Sequence, residues 1–233
     1  MTEMNSLQTW LTTAQVSNKK HLNSRAMFAY SLQIDALTGG HFKARRSWKS
    51  ASDEEIAVEE VVWCQQHGLV SAQMSQPHLQ EKGCLEVNQF KGISVLSSYR
   101  TKHSEKKKPL IFANLPCTLL SVPFEIAKHW QDLMQGKRIH LDYTVLKVQA
   151  HTGITLHKKE TDSSTVISVT PKKWFWRLLF GSTDFHYEKG SQRLIKIDGL
   201  LEPRDRNIKG KYVEHLGLAR FDKAIDFGFF RGL

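Results

Sequence analysis

Eleven histidines and 23 acidic residues in a chain of 233 make chance neighbours common, so spacing has to decide which of them can do chemistry. His140 and Asp142 stand two apart in an alternating stretch, which would put both on one face of a strand. Asp184 and His186 repeat the arrangement. Such a pair can orient a general base or supply half of a metal site. Neither pair has a third ligand at diagnostic spacing. The sequence contains no HExxH, no GxSxG elbow, no Walker loop and no GxGxxG. No residue is assigned a catalytic or metal-binding role, and no cofactor is expected.

The most unusual stretch is Lys172-Lys173-Trp174-Phe175-Trp176-Arg177-Leu178-Leu179-Phe180-Gly181. Its large apolar residues do not alternate, so a simple strand would carry bulky rings on both faces. Three readings compete. In one, a short helix or loop lies in a membrane interface, with Trp174, Trp176 and Phe180 among the headgroups and Lys172, Lys173 and Arg177 on phosphates. In another, the same six residues form a lid over a hydrophobic cavity. The plainest is a crossover buried on both faces.

Three basic runs can track phosphates: Lys106 to Lys108, Lys158-Lys159, and Arg204 to Lys211. Single-strand binding also needs aromatic partners, which Tyr99 and Trp174 provide only loosely. Solvated loops are the simpler reading. The cluster Asp198, Gly199, Arg204, Asp205, Arg206 and Asn207 reads best as an internal salt-bridge network.

The elements that must position these residues are mostly strands. Tyr30, Leu32 and Ile34 alternate with polar neighbours, and so do Phe42, Ala44 and Trp48 after the Gly39-Gly40 turn, with Arg46 breaking the apolar row. Ile56, Val58 and Val62 suggest a third strand, and further runs follow at 69–74, 93–99, 139–148, 154–157, 166–169, 184–188 and 194–197. Another pair is expected at 211–213 and 221–229. A helix is expected over 122–135, capped by Ser121, with Pro123 in its first turn and Gly136 after its last. A second is expected over 5–16. Residues 101–109 and 158–164 read as linkers. Helices between successive strands are missing, which excludes a parallel sheet. The expected fold is mainly β: a large curved antiparallel meander, closed or half-closed into a barrel, with an N-terminal helix and one inserted helix. The division is a helical segment at 1–24 and one β domain at 25–233.

A net charge of +10 ranks nucleic acid, anionic lipid and acidic proteins as partners without choosing among them. No run approaches the roughly 20 apolar residues of a membrane-spanning helix. The polar, Thr-rich start has no secretory pattern, so the chain as written is expected in the cytoplasm, and in the periplasm or envelope if it is processed. Cys64, Cys84 and Cys117 are expected as free thiols.

From 111 to 215 the order of motifs resembles a poorly characterised family of bacterial β-rich envelope proteins of unknown function (DUF3108-like). The matching segments are PFEIAKHWQDLMQG, RIHLDYTV and FGSTDFHYEKGSQRLIKIDGL. Phe124, Trp130, Leu133, Gly136, Tyr187, Leu194 and Gly199 stand at the family's positions. The resemblance implies structural roles for them and brings no activity. The expected function is non-enzymatic: binding of a hydrophobic or amphipathic ligand such as lipid, or association with an anionic membrane surface. The alternatives are a nucleic-acid-associated basic protein and an enzyme of unrecognised class.

Overall fold

In the computed structural model, residues 9–18, 28–88, 94–159, 161, 163–206 and 212–228 are described. Eight strands follow one another first: β1 (Thr9–Asn18), β2 (Phe28–Ala36), β3 (His41–Lys49), β4 (Glu55–Cys64), β5 (Gly68–Gln76), β6 (Glu81–Asn88), β7 (Ser94–Arg100) and β8 (Glu105–Ile111). The short β9 (Pro116–Cys117) then leads into α1 (Val122–Lys128) and α2 (Trp130–Met134). β10 (Ile139–Val145), β11 (Ala150–Lys159) and β12 (Ser164–Pro171) precede α3 (Trp174–Phe180), and β13 (Thr183–Glu188), β14 (Arg193–Arg206) and β15 (Tyr212–Asp226) complete the chain.

All fifteen strands belong to one sheet, ordered β8 back to β1, then β15 back to β9. Every pairing is antiparallel except that of β9 with β10. The fold is therefore mainly β, a curved meander whose hydrogen-bonded ladder does not close, because β8 and β9 are its two ends. It nevertheless curls on itself: β5 touches β9 and β4 touches β14 across the interior. One apolar cluster, running from Ala14 to Phe227, fills the space.

The open seam is held by side chains. The β10–β11 connection, a turn of 3-10 helix at Leu146–Val148, packs against β6 and β7. Gln149 donates its amide to the carbonyls of Ser97 and Lys106, each at 3.0 Å. Gly83 permits this approach, since a Cβ there would lie 2.9 Å from Cβ of Leu146. On the other side of the seam the buried Asp142 carboxylate accepts the backbone N–H groups of Ala113 and Asn114, both at 2.9 Å.

The two ends of the curl differ. At the lower end α1 is buried, with Phe124 stacked on Trp63 at 5.2 Å and edge-on to Phe227 at 5.5 Å. Trp130 of α2 meets Tyr187 edge-on at 5.1 Å. The upper end carries the turns after β3, β5, β7, β10 and β12, so α3 lies there.

Several expectations need correction. The segment expected as an N-terminal helix is strand β1 from Thr9 onward; residues 1–8 and 19–27 lie outside the described residues. Thr12, Ala14 and Val16 are buried while Leu11, Thr13 and Gln15 are exposed, a period of two that suits β-branched residues. The helix expected over 122–135 is two, broken at His129. Gly136, at φ +81, ends the second with bonds from Gly136 N–H to Leu133 and from Lys137 N–H to Asp132, a Schellman arrangement. The Lys-rich linker is partly β8, and 212–226 is one long strand rather than part of a pair.

Candidate functional site

Seven residues form α3 because alternation fails there. A strand would have to bury rings on both faces, whereas one helical turn after another gathers them. Lys173 is extended before the helix, and Gly181 follows it at φ +66, with its N–H on the Arg177 carbonyl at 2.9 Å. The buried crossover does not form: Trp174 is 74% exposed, Phe175 51% and Leu178 75%. Trp176 is half-buried, with its ring 5.8 Å from that of Phe175. Lys172, Lys173 and Arg177 are exposed beside them. The Arg177 guanidinium also donates to the Pro171 carbonyl at 3.2 Å, which ties it to the foot of the helix. The side chain of Phe180 lies outside the described residues. Among the described residues, one interior space holds about 40 Å³ and another, mostly apolar, about 10 Å³. About three waters fit the first, and a lipid chain fits neither.

The first of these lies toward the upper end, and polar side chains share its walls with Met74, Val145, Leu146 and Leu200. Arg46 on β3 faces Glu59 on β4 directly across the ladder; both are buried, and the Arg46 Nε donates to Glu59 at 2.9 Å. The guanidinium carbon also stands 4.6 Å from the Trp48 ring centroid. Tyr30, behind the pair, has its phenol pushed up to about 12, first by burial and then by the nearby Glu59, against the opposing pull of Arg46.

A chain of polar groups leads outward from this pair. Gln76 donates to Glu202 at 3.0 Å and accepts from Arg204 Nε at 3.2 Å. Arg204 pairs with Glu81, which also accepts the Tyr99 hydroxyl. Burial, and then the Glu59 charge, raise the Glu202 carboxyl above its ordinary range. Burial likewise lowers the Lys147 ammonium at the mouth and raises the Tyr143 phenol. Thr118 and Thr144 line the cavity, are buried, and have no hydrogen-bond partner for their hydroxyls.

The histidine–acid pairs are not assembled into a centre. Asp142 is spent on the β8–β9 crossover, while His140 is exposed and 3.2 Å from the Thr155 hydroxyl. Asp184 is paired with Lys159 at 2.8 Å and sits on β13, three strands away from β10. Among the described residues no cluster of three or more histidine, cysteine or acidic side chains is arranged to hold a metal ion. The three cysteines are free, and Cys64 and Cys117 are buried.

The basic runs divide among other tasks. Lys106, Lys107 and Lys108 are exposed along β8, a terminal strand of the sheet, where lysines and Pro109 discourage pairing with another chain. Arg204 belongs to the internal network, and 207–211 lie outside the described residues. Of the polar residues lining the cavity, the sequence singled out only Arg46, as a break in an apolar row; Arg204, which it also singled out, lies in the chain of polar groups leading outward. Glu59, Gln76, Thr118, Tyr143, Thr144 and Glu202 gave no signal, because each is an ordinary residue until the curl brings it inward.

The positions shared with the envelope-protein resemblance are structural. Phe124, Trp130, Leu133, Tyr187 and Leu194 are buried, and Gly199 at φ +142 would place a Cβ 2.7 Å from the Ser182 carbonyl oxygen. Among the described residues no helix is long and apolar enough to cross a membrane. No family model and no curated protein matches the chain. Among solved structures it is similar to a β-barrel-like protein of domain of unknown function DUF1849 from Brucella abortus, at 5% identity and a TM-score of 0.46, covering 94% of this chain and 98% of that one.

Proposed function

We propose that the protein associates peripherally with an anionic membrane surface through α3. The observation that carries this reading is the exposure of Trp174, Phe175 and Leu178 on one short helix flanked by Lys172, Lys173 and Arg177. Large apolar side chains left in water are costly, and full burial of each contributes about 1.5–3 kcal/mol. Cations near an anionic leaflet add about 1 kcal/mol each at physiological salt. Together these suit a reversible surface contact. The helix is far too short to span a bilayer, and its charge complements phosphate headgroups.

The amphipathic ligand in this reading is the lipid surface itself, and the spaces of about 40 Å³ and 10 Å³ found among the described residues are too small for an acyl chain. Resemblance to an envelope family favours an envelope-associated site of action over a purely cytoplasmic one. A nucleic-acid role has less support, because the β8 lysines guard a sheet edge and Arg204 is consumed internally.

Flotation with vesicles tests the reading. Vesicles containing phosphatidylglycerol should carry the protein up at low salt, and pure phosphatidylcholine vesicles should not. Trp174→Ser with Leu178→Ser should abolish flotation without changing thermal stability, because neither side chain is packed in the core. Equal flotation of that variant would discard α3 as the contact.

A further inference from the structure

We propose that His151 and Asp142 form a proton-operated latch on the open seam of the sheet, closed when the imidazole is protonated. The crossover 112–115 carries the chain from β8 to β9, the two ends of the ladder. Asp142 holds that crossover. Its Oδ2 accepts the backbone N–H groups of Ala113 and Asn114, and its Oδ1 accepts the Asn114 side-chain amide at 3.3 Å.

His151 stands against the same carboxylate. Its Nδ1 lies 4.0 Å from Asp142 Oδ2, beyond a hydrogen bond but close enough for an ion pair. That nitrogen is buried and has no hydrogen-bond partner, while the side chain as a whole is 32% exposed and so open to protons. The ring also packs on Phe112 of the crossover, with centroids 4.5 Å apart. A neutral imidazole leaves Nδ1 idle beside the carboxylate. Protonation turns it into a charged donor facing Asp142 and sets a cation against the Phe112 ring. The seated crossover keeps water from this pair, and its release would expose and screen it.

The remaining charges around the pair are weaker influences. Lys172, whose stem lies over Gly153 beside Asp142, opposes protonation, but it is exposed, as is Lys173 after it. His140, on the same face of β10 as Asp142, is exposed and turned to the Thr155 hydroxyl. Thr144 stands opposite His151 in the ladder and is neutral, and the crossover brings no charged side chain. Asp142, only 3% exposed, is the dominant partner. A seated crossover that binds this proton more tightly than a released one is favoured by acid. The latch therefore closes at low pH and loosens as pH rises through the imidazole range.

Amide hydrogen exchange of Ala113 and Asn114, followed by NMR in the whole chain and corrected for the intrinsic rate at each pH, reads the latch directly. Between about pH 5 and pH 8 their protection should fall about tenfold or more, and further than that of β3 amides, which report global unfolding. His151→Gln should flatten the difference, and His151→Lys, a fixed cation, should keep protection high at both ends. Glu125→Gln should leave the fall intact, because Glu125 belongs to the α1 core rather than to this pair. Equal protection across the window in the wild type, an undiminished fall in His151→Gln, or its loss in Glu125→Gln would overturn the latch.

Discussion

Arg46 and Glu59 are a direct cross-strand pair on the inner face of the sheet, both removed from solvent. Their neighbours Arg45 and Glu60 form the matching pair on the outer face, at 3.3 Å and substantially exposed. The two pairs have similar chemistry and different consequences. The exposed one contributes little, whereas breaking the buried one strands a charge.

Replacement of Arg46 by Met should therefore destabilise the fold by about 3–5 kcal/mol, since Glu59 is left without its counter-ion. The double replacement Arg46→Met with Glu59→Leu should recover most of that loss. Chemical denaturation of the wild type, Arg46→Met, Glu59→Leu and the double variant measures both terms. Full additivity of the single variants would show that the pair is not coupled.

Gln149 substitutes for a missing strand ladder. Its amide bridges the Ser97 and Lys106 carbonyls while its backbone sits at φ +47. Gln149→Ala should leave both bonds unmade at a cost of about 1–3 kcal/mol. Hydrogen exchange should accelerate first in β7 and β8, which border the seam. Uniform acceleration across the sheet would mean that the seam has no stability of its own.

Glu125 lies in the core, accepting the Trp63 indole N–H at 2.6 Å, and burial raises its carboxyl above the ordinary range. The folded protein then keeps a proton that the unfolded chain releases above about pH 4.3. In that window the native state binds more protons, so stability falls as pH rises from the unfolded value toward the raised native one. Glu125→Gln retains an oxygen for Trp63 and removes the titration. The variant's stability relative to wild type should increase with pH through this window. A constant difference would show that Glu125 is ionised in the native protein at all these values.

Much of this fold is legible in the sequence, and the failures have physical causes. Alternation reveals β2, β3 and β5 because one face of each is apolar. In β4 the same rule selects Ile56, Val58 and Val62, but Val58 and Val62 are only partly buried; Ala57, Glu59, Val61 and Trp63 occupy the inner row. Glu59 was hidden by that choice of face, since a buried acid appears in a sequence as an exposed one. The strand β8 escaped notice because a terminal strand carries lysines for protection, which makes it look like a linker. At α3 the sequence singled out the residues by their failure to alternate, while their exposure depends on where the β12–β13 connection leaves the sheet. The cavity was almost wholly illegible: its walls come from β3, β4, β5, β10 and β14, and only the curl brings them together.

Contact between α3 and lipid is tested most directly by quenching Trp fluorescence with phosphatidylglycerol vesicles whose acyl chains are brominated near the headgroup. The five other tryptophans make a Trp174→Phe control necessary. Binding through α3 predicts quenching in the wild type that is clearly reduced in Trp174→Phe, with both proteins still bound. Quenching of equal size in the two proteins, or none in the wild type, would contradict it.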